Sequence, residues 1–475
     1  MVRRQTTRQP NENGSIPSRA HLIGIGGAGM AALAALLLDI GCEVTGSDRE
    51  ESDAVGSLRR RGVSVCVPHD VECIGDPDLV VYSSAVPKDN VELLRAESLG
   101  IRAIKRAAML GRLSSLKDTI AVAGTHGKTT TTAMLAWILF QAGCEPGWAI
   151  GGEVPDLGGS AHWGVGNWFA VEADEYDRSF LTLHPQVAVI NNIEADHLDY
   201  YGHPAAIYQA FAAFASRLPA NGLLIIGEDA AAKRIAEESR WTVQSVGLTR
   251  ACDWSASQLV LGQNGSQFRF RTPQGESADC WLQVAGIHNV RNALAALACA
   301  AHAGVTLEDA TAALAKFSGA ARRFQRVGEA AGVVVYEDYA HHPSEIRAVL
   351  EASRQVHPPT RGKMWAVFEP HTYSRTEALF DGFAQAFKVA DRVVITEVYS
   401  PSGRDHANDG RDAAALAAAA QHGAVHYAPS HRDALTHLVD GLSRGDFVVI
   451  MGAGPIHRLA HQLVDRLGRS DTLAT

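Results

Sequence analysis

A chain of 475 residues exceeds one ordinary hydrophobic core and predicts roughly three units of about 100 to 200 residues each. A composition of 46% hydrophobic and 20% charged residues excludes a disordered or fibrous protein. The formal charge of -9 excludes a general nucleic-acid binder, which needs a basic surface to displace counterions from phosphates, but leaves a small anionic ligand open.

The first residues, 1–19, are polar, carry four arginines and lack an apolar run, and read as a disordered tail. From His21 a short apolar strand (HLIGI), a glycine turn (GGAG), an apolar helix and a second strand ending at Asp48 form a βαβ unit. That helix, Ala28 to Ile40, is about 13 residues long and carries Asp39, so it is too short to cross a bilayer. Gly24, Gly26 and Gly29 make a GxGxxG turn with Asp48 about 20 residues beyond, and amides at the helix start there can hold a diphosphate. A nicotinamide dinucleotide and a UDP-sugar both fit this pattern, and so does a tight turn serving only close helix packing. A further apolar run, DLVVYSSAVP, reads as a strand with Ser83 and Ser84 at its carboxyl end. This first unit, an open parallel sheet, is expected over residues 20–115.

The second unit, expected over 116–320, opens on a strand, glycine loop and helix around Gly124-Thr125-His126-Gly127-Lys128-Thr129-Thr130. The spacing predicts a phosphate loop, with Lys128 against the β and γ phosphates, the Thr129 hydroxyl on magnesium, and amides completing the cradle. Val122 stands where the strict pattern has its first glycine. Two apolar runs follow and end in polar clusters, Glu172-Ala173-Asp174-Glu175 with Asp177, and Asn191 to His197. Strand carboxyl ends line the ligand crevice of doubly wound sheets, so Glu172 is expected as a magnesium ligand and His197 in a metal or phosphate role. Asn289 and Asn292, three apart on one helix face, can read an adenine edge, since an amide both donates and accepts.

Arg322-Arg323-Phe324 falls at the expected junction with a third α/β unit over 321–475, which has four apolar runs separated by helical patterns. The polar loops Asp338-Tyr339-Ala340-His341-His342-Pro343 and His371 to Thr376 follow such runs and are candidates for a substrate site. Seven cysteines (Cys42, Cys66, Cys73, Cys144, Cys252, Cys280, Cys299) are scattered without a CxxC. That suits a reducing cytosol and offers neither a disulfide framework nor a zinc site.

In order, the blocks HLIGIGGAGM, GTHGKTTTT, EADEYDRSF, NNIEADHLD, GIHNVRNALAA, RRF and DYAHHP resemble the Mur ligases over nearly all of the chain after the tail. The GIGGAGM and GSD blocks, EADE and FEPHTYSRT are most similar to the branch that joins L-alanine to UDP-N-acetylmuramate. The resemblance implies a Rossmann-like UDP-sugar domain, a P-loop ATPase domain and a Rossmann-like amino-acid domain. It implies a cytoplasmic, ATP- and magnesium-dependent ligation through an acyl phosphate in peptidoglycan synthesis, by a monomer or homodimer acting without nucleic acid or membrane.

By the same resemblance Gly26, Gly27, Ala28, Gly29, Asp48, Ser83 and Ser84 meet the sugar nucleotide. Gly124 to Thr130, Asn289, Asn292, Arg323 and Asp338 hold ATP, and Thr129, Glu172 and His197 hold metal. Tyr339, His341, His371 and Arg375 form the amino-acid end, while Lys128, His197, Arg323, Asp338 and His341 carry catalysis, with His341 the candidate amine base. Two departures stand out. Thr372 occupies a position often basic in the family, which throws carboxylate binding onto Arg375, and no lysine lies between Asp196 and Asn221 to be carbamylated. Three alternatives remain open: the branch that adds a preformed tripeptide, a nicotinamide-dependent dehydrogenase, and a binding protein switched by ATP.

Overall fold

The computed structural model describes residues 16–262, 265–401 and 410–472. Residues 1–15, most of the segment read as a tail, lie outside the described residues, while Arg19 already belongs to the first strand, where it pairs with Glu43.

Three sheets follow one another along the chain. The first contains β1 (Arg19–Ile23), β2 (Glu43–Ser47), β3 (Ser64–Cys66), β4 (Leu79–Tyr82) and β5 (Ala103–Lys105), in the order β3-β2-β1-β4-β5 and all parallel. Two of these strands are three residues long, too short for an apolar period to show in the sequence. Cys73, in a short 3-10 turn after β3, folds back and is disulfide-bonded to Cys66. This corrects the expectation of no bridge: the pairing is set by that turn in space, and a spacing of seven residues gives no motif to read.

The central sheet has ten strands: β6 (Asp118–Ala123), β7 (Gly147–Ala149), β8 (Ala161–His162), β9 (Trp168–Glu172), β10 (Pro185–Ile190), β11 (Leu223–Ile226), β12 (Thr242–Gly247), β13 (Trp254–Gly262), β14 (Gly265–Arg271) and β15 (Ser277–Leu282). Strands β12 to β9 run parallel through β6 at the centre, and β13 to β15 add an antiparallel meander. The meander is half-buried: in β14 Phe268 and Phe270 point inward while Gln267, Arg269 and Arg271 face solvent, the alternation of a one-sided sheet. The helix Lys128–Gln141 after β6 is buried all round from Thr129 to Leu139, as a helix apolar on every face must be. Its buried hydroxyls are satisfied locally, as where Thr132 donates to the Lys128 carbonyl at 2.8 Å.

The third sheet is β16 (Gln325–Ala330), β17 (Val333–Asp338), β18 (Met364–Phe368), β19 (Arg392–Thr396), β20 (Val425–Ala428) and β21 (Phe447–Met451), in the order β16-β17-β21-β18-β19-β20, with only β16 antiparallel. β6, β9, β10, β17 and β18 end in the loops that carry the polar blocks seen in the sequence.

The first and central sheets share one continuous apolar core, to which the helix Arg106–Ser114 contributes Met109 and Leu113 and the segment after β9 contributes Phe180 and Leu183. Gly111 lies so close to this segment that a Cβ would stand 2.4 Å from the Thr182 carbonyl oxygen. Phe180 is 1% exposed and stacks on Phe214 at 4.9 Å and edgewise on Phe211 at 5.4 Å, fixing the acidic loop that precedes it. Phe180→Ala is expected to destabilise the chain by about 3–5 kcal/mol, read as a lower urea midpoint at unchanged slope.

Candidate active site

The loop after β6 turns on two glycines whose place nothing larger can take. Gly124 has φ 142° and Gly127 φ 80°, and a Cβ would stand 2.9 Å from Asn191 Cβ and 2.4 Å from Asn292 Oδ1 respectively. The Thr125 amide donates to the Asn192 carbonyl and its hydroxyl accepts from the Glu194 amide at 2.8 Å. Lys128 donates to the carbonyls of Gly124 at 2.6 Å and Thr125 at 3.2 Å and to Glu175 at 2.9 Å. Burial opposes its charge, but Glu175, Asp174 and Glu172 outweigh that and raise its pKa. Glu175 shows the cost from the other side, since burial pushes it up to about 7 against the pull of Lys128.

Thr129 and Glu172 lie together. The Thr129 hydroxyl donates to Glu172 Oε1 at 3.0 Å, Oε2 accepts from the Gly151 amide at 2.6 Å, and Arg323 Nη2 reaches the Thr129 oxygen at 3.2 Å from across the cleft. A hydroxyl and a carboxylate at the mouth of a phosphate loop form an oxygen donor set that fits magnesium. His197 lines the same cleft in a left-handed conformation, φ 53°, and burial lowers its pKa.

That cleft, about 840 Å³, runs from the helix start at Gly27, Ala28 and Gly29, past Ser83 and the phosphate loop, to Tyr339 and His341. Within the glycine turn the Gly26 amide donates to Asp48 at 2.7 Å and the Gly27 amide to the Gly24 carbonyl. Asp48 therefore braces the turn, and the amides of Gly26 and Gly27 are already engaged within it. Ser84 is turned aside, donating to Asp177, which also takes Lys105 at 2.8 Å; it ties the first unit to the second instead of facing a ligand. Sequence reasoning missed Arg106, whose guanidinium stands 3.2 Å from where a Gly29 Cβ would be and lines the cleft. A single arginine after a three-residue strand carries no motif.

A second cavity of about 390 Å³ opens on the other side of the loop. Thr130, Asn289, Asn292, Arg323 and Asp338 line it, together with Asn191, Asn192 and His288, which the sequence reading had not singled out. Asn292 donates to Asn289 Oδ1 at 3.1 Å, and Asn289 donates to the Ala285 carbonyl at 2.7 Å, so the pair is oriented before any ligand arrives. Asn192 Oδ1 accepts from the His126 amide at 2.8 Å. Asp338 accepts from the amides of Phe324 and Ala340, both at 2.6 Å, and burial pushes it up to about 6.

Three expectations at the amino-acid end are corrected. His341 donates its Nδ1 proton to the Tyr339 carbonyl at 3.0 Å, which leaves Nε2 as the acceptor, but burial pushes it down to about 4. A base that weak is poorly matched to an ammonium proton, so the pKa argument for it fails. Arg375 donates to Asp196 at 3.1 Å, to His371 Nδ1 at 3.2 Å and to His197 Nδ1 at 3.4 Å. It clamps the third unit to the second, and both imidazoles must accept from a group that only donates. His371 is held in that clamp, outside the residues lining the main cleft. Arg322 and Arg323 instead lie over the Tyr339 ring at 4.8 and 5.1 Å, lining the cleft.

His126 lies between two carboxylates, Nδ1 3.1 Å from Glu345 and Nε2 3.4 Å from Glu194. Burial opposes its charge, yet these partners raise it from 6.5 to about 9.

Family models match most of the chain: the Mur ligase family, catalytic domain over residues 19–118, the Mur ligase middle domain over 122–300, and the Mur ligase, glutamate ligase domain over 322–454. The chain is 41% identical over 460 residues to a UDP-N-acetylmuramate--L-alanine ligase of Thermobifida fusca, covering 95% of this chain and 97% of that protein. It is 40% identical over 457 residues to the enzyme of the same name from Desulforamulus reducens, covering 94% and 98%. Among solved structures, a UDP-N-acetylmuramate-alanine ligase of Thermotoga maritima superposes with a TM-score of 0.78 at 28% identity, over 95% of this chain and 99% of that one. A murein peptide ligase of Psychrobacter arcticus gives 0.71 at 28%, over 95% and 98%.

The raised His126 fixes a sign. Its stabilisation is complete below pH 6.5, where the unfolded imidazole is also charged, and is lost as pH rises through 9, on the order of 3 kcal/mol in all. The urea midpoint of the wild-type chain is therefore expected to fall between pH 6.5 and 9, and that of His126→Phe to stay flatter over the same interval.

Proposed function

The chain belongs to the Mur ligase family, and from that premise we propose that it joins L-alanine to the lactyl carboxylate of UDP-N-acetylmuramate, hydrolysing ATP to ADP, in peptidoglycan precursor synthesis. The observation that carries this reading is the pairing of about 40% identity across 95% of the chain with alanine ligases and one cleft joining a diphosphate-binding helix start to a phosphate loop and a polar third-unit loop.

A carboxylate oxygen of the sugar attacks the γ phosphorus and ADP leaves; the neutral alanine amine then attacks the acyl carbon, the C–O bond to phosphate breaks, and the nitrogen gives up one proton to the departing phosphate or to water as the amide forms. Little covalent chemistry falls to the protein, which positions the reactants and neutralises charge. The Ala28 and Gly29 amides and Arg106 hold the diphosphate of the sugar nucleotide, setting its carboxylate toward the loop. The loop amides cradle the β and γ phosphates, Lys128 neutralises the transferred group, and Arg323 reaches it from the third unit. Asn289, Asn292 and Asp338 bind the nucleoside in the smaller cavity. Thr129, Glu172 and His197 would hold magnesium, which when bound offsets phosphate charge. With Arg375 clamped to Asp196 and Arg322 donating to the carbonyls of Gly452 and Gly454, the cation facing the cleft at the amino-acid end, among the described residues, is Arg323, beside Tyr339 and His341.

Among the described residues no helix is long and apolar enough to cross a membrane. We assign the reaction to the cytoplasm, where its nucleotide substrates are made, and to a monomer or homodimer. The likeness to the Psychrobacter arcticus murein peptide ligase supports a second reading, in which the acceptor is a preformed peptide.

Phosphate release by the purified chain with ATP, magnesium and UDP-N-acetylmuramate is expected to depend on added L-alanine; dependence on L-alanyl-γ-D-glutamyl-meso-diaminopimelate instead would move it to the peptide-adding branch. Lys128→Ala is expected to abolish turnover while leaving sugar-nucleotide binding intact, and retained turnover would sink the assignment of the loop. Arg106→Ala is expected to raise KM for the sugar nucleotide about tenfold, the loss of one charge-assisted contact, with a far smaller change in kcat.

A further inference from the structure

One imidazole of the phosphate loop reaches into the third unit. The backbone of His126 is held within its own unit, its amide on Asn192 Oδ1 at 2.8 Å and its carbonyl accepting from Asn192 Nδ2 at 3.2 Å. Its ring points out, tilted against the His342 ring at 4.9 Å, with Nδ1 3.1 Å from Glu345 Oε1 and Nε2 3.4 Å from Glu194 Oε2. A neutral imidazole has one N–H and cannot donate to both carboxylates, whereas the imidazolium can.

Glu345 is not a free surface acid. Its Oε2 accepts from the amides of His341 at 3.0 Å and His342 at 3.2 Å, closing the capping box of the helix Pro343–Val356. Ser344, next to it, donates to Glu194 at 2.5 Å, so both carboxylates beside His126 also bind this helix start. An unbroken path of hydrogen bonds thus runs from the phosphate loop through His126 and Glu345 to the segment that presents Tyr339 and His341 to the cleft. The His126–Glu345 pair is largely buried, its side chains 16% and 14% exposed, which strengthens it relative to surface pairs, whereas Glu194 is 41% exposed.

We propose that His126 is a positioning residue which, hydrogen-bonded to Glu345 and paired by charge with Glu194, orders the Tyr339–His341 segment against the phosphate loop, so that the triphosphate site and the acceptor end of the cleft are set by one contact. This rests on the ATP-dependent ligase reading above. It predicts that the nucleotide and the amine substrate depend on the same side-chain pair although they occupy different cavities.

The test uses the full chain with His126→Phe, which keeps ring packing on His342, Glu345→Gln, which keeps a cap acceptor, and the double variant. Each single change is expected to raise KM for L-alanine and for ATP about tenfold, and the double variant no further, because both remove one interaction. Should His126→Phe fail to fold, His126→Gln takes its place in the cycle. Hydrogen exchange gives a readout independent of ligation: a non-hydrolysable ATP analogue with magnesium should slow amide exchange over residues 339–345 in the wild type and leave it unchanged in the His126 variant. Fold-changes that multiply in the double variant, or equal protection in variant and wild type, would overturn the proposal. A wild-type chain that shows this protection yet joins no alanine would remove the proposed function and leave the positioning role standing.

Discussion

Much of the molecule is arranged around a buried ammonium. Lys128 sits at the start of an enclosed helix with its side chain only 15% exposed, where a cation without partners would be costly. Two loop carbonyls and Glu175 hold it. For those carbonyls to turn inward, Gly124 and Gly127 must take backbone conformations that bring them against Asn191 and Asn292. The loop's shape, the asparagines behind it and the acids after β9 are thus parts of one solution to placing a positive charge where phosphate is handled.

What could be read from the sequence divides along physical lines. Features local in sequence were legible: the glycine loop between strand and helix, the acid at the end of β9, and the two asparagines three residues apart. Contacts made between units were not. Arg375 was expected to await a carboxylate, yet it binds Asp196 and His197, which lie about 180 residues earlier. Ser84 was expected at a ligand and instead meets Asp177. Nothing in the local pattern around either residue distinguishes an interdomain clamp from a substrate contact, because both call for a polar side chain in a loop after a strand. Arg106 escaped notice for the opposite reason, standing alone. The antiparallel meander of β13 to β15 lacked the strong apolar runs of the parallel strands, since only one of its faces is buried.

The three units are therefore joined in two different ways. The third is attached to the second by charged and polar pairs: Arg375 with Asp196, Arg323 with Thr129, and His126 with Glu345. These contacts are largely shielded from solvent and are held by hydrogen bonds and charge instead of apolar packing. The connecting residues Arg322 and Phe324 have positive φ, 58° and 49°, so the chain changes direction sharply where the two units meet.

The first unit is attached to the second differently, through a continuous apolar core and the tight approach of Gly111 to the Thr182 carbonyl. Such a seam does not slide. For anyone recombining relatives to alter which sugar nucleotide is accepted, the natural cut at the end of the first sheet is the wrong one. A transplanted first unit would arrive without its matching partner surface unless the stretch from Tyr176 to Leu183 travels with it. As packing, these two stretches form a single module interrupted in sequence by the phosphate loop.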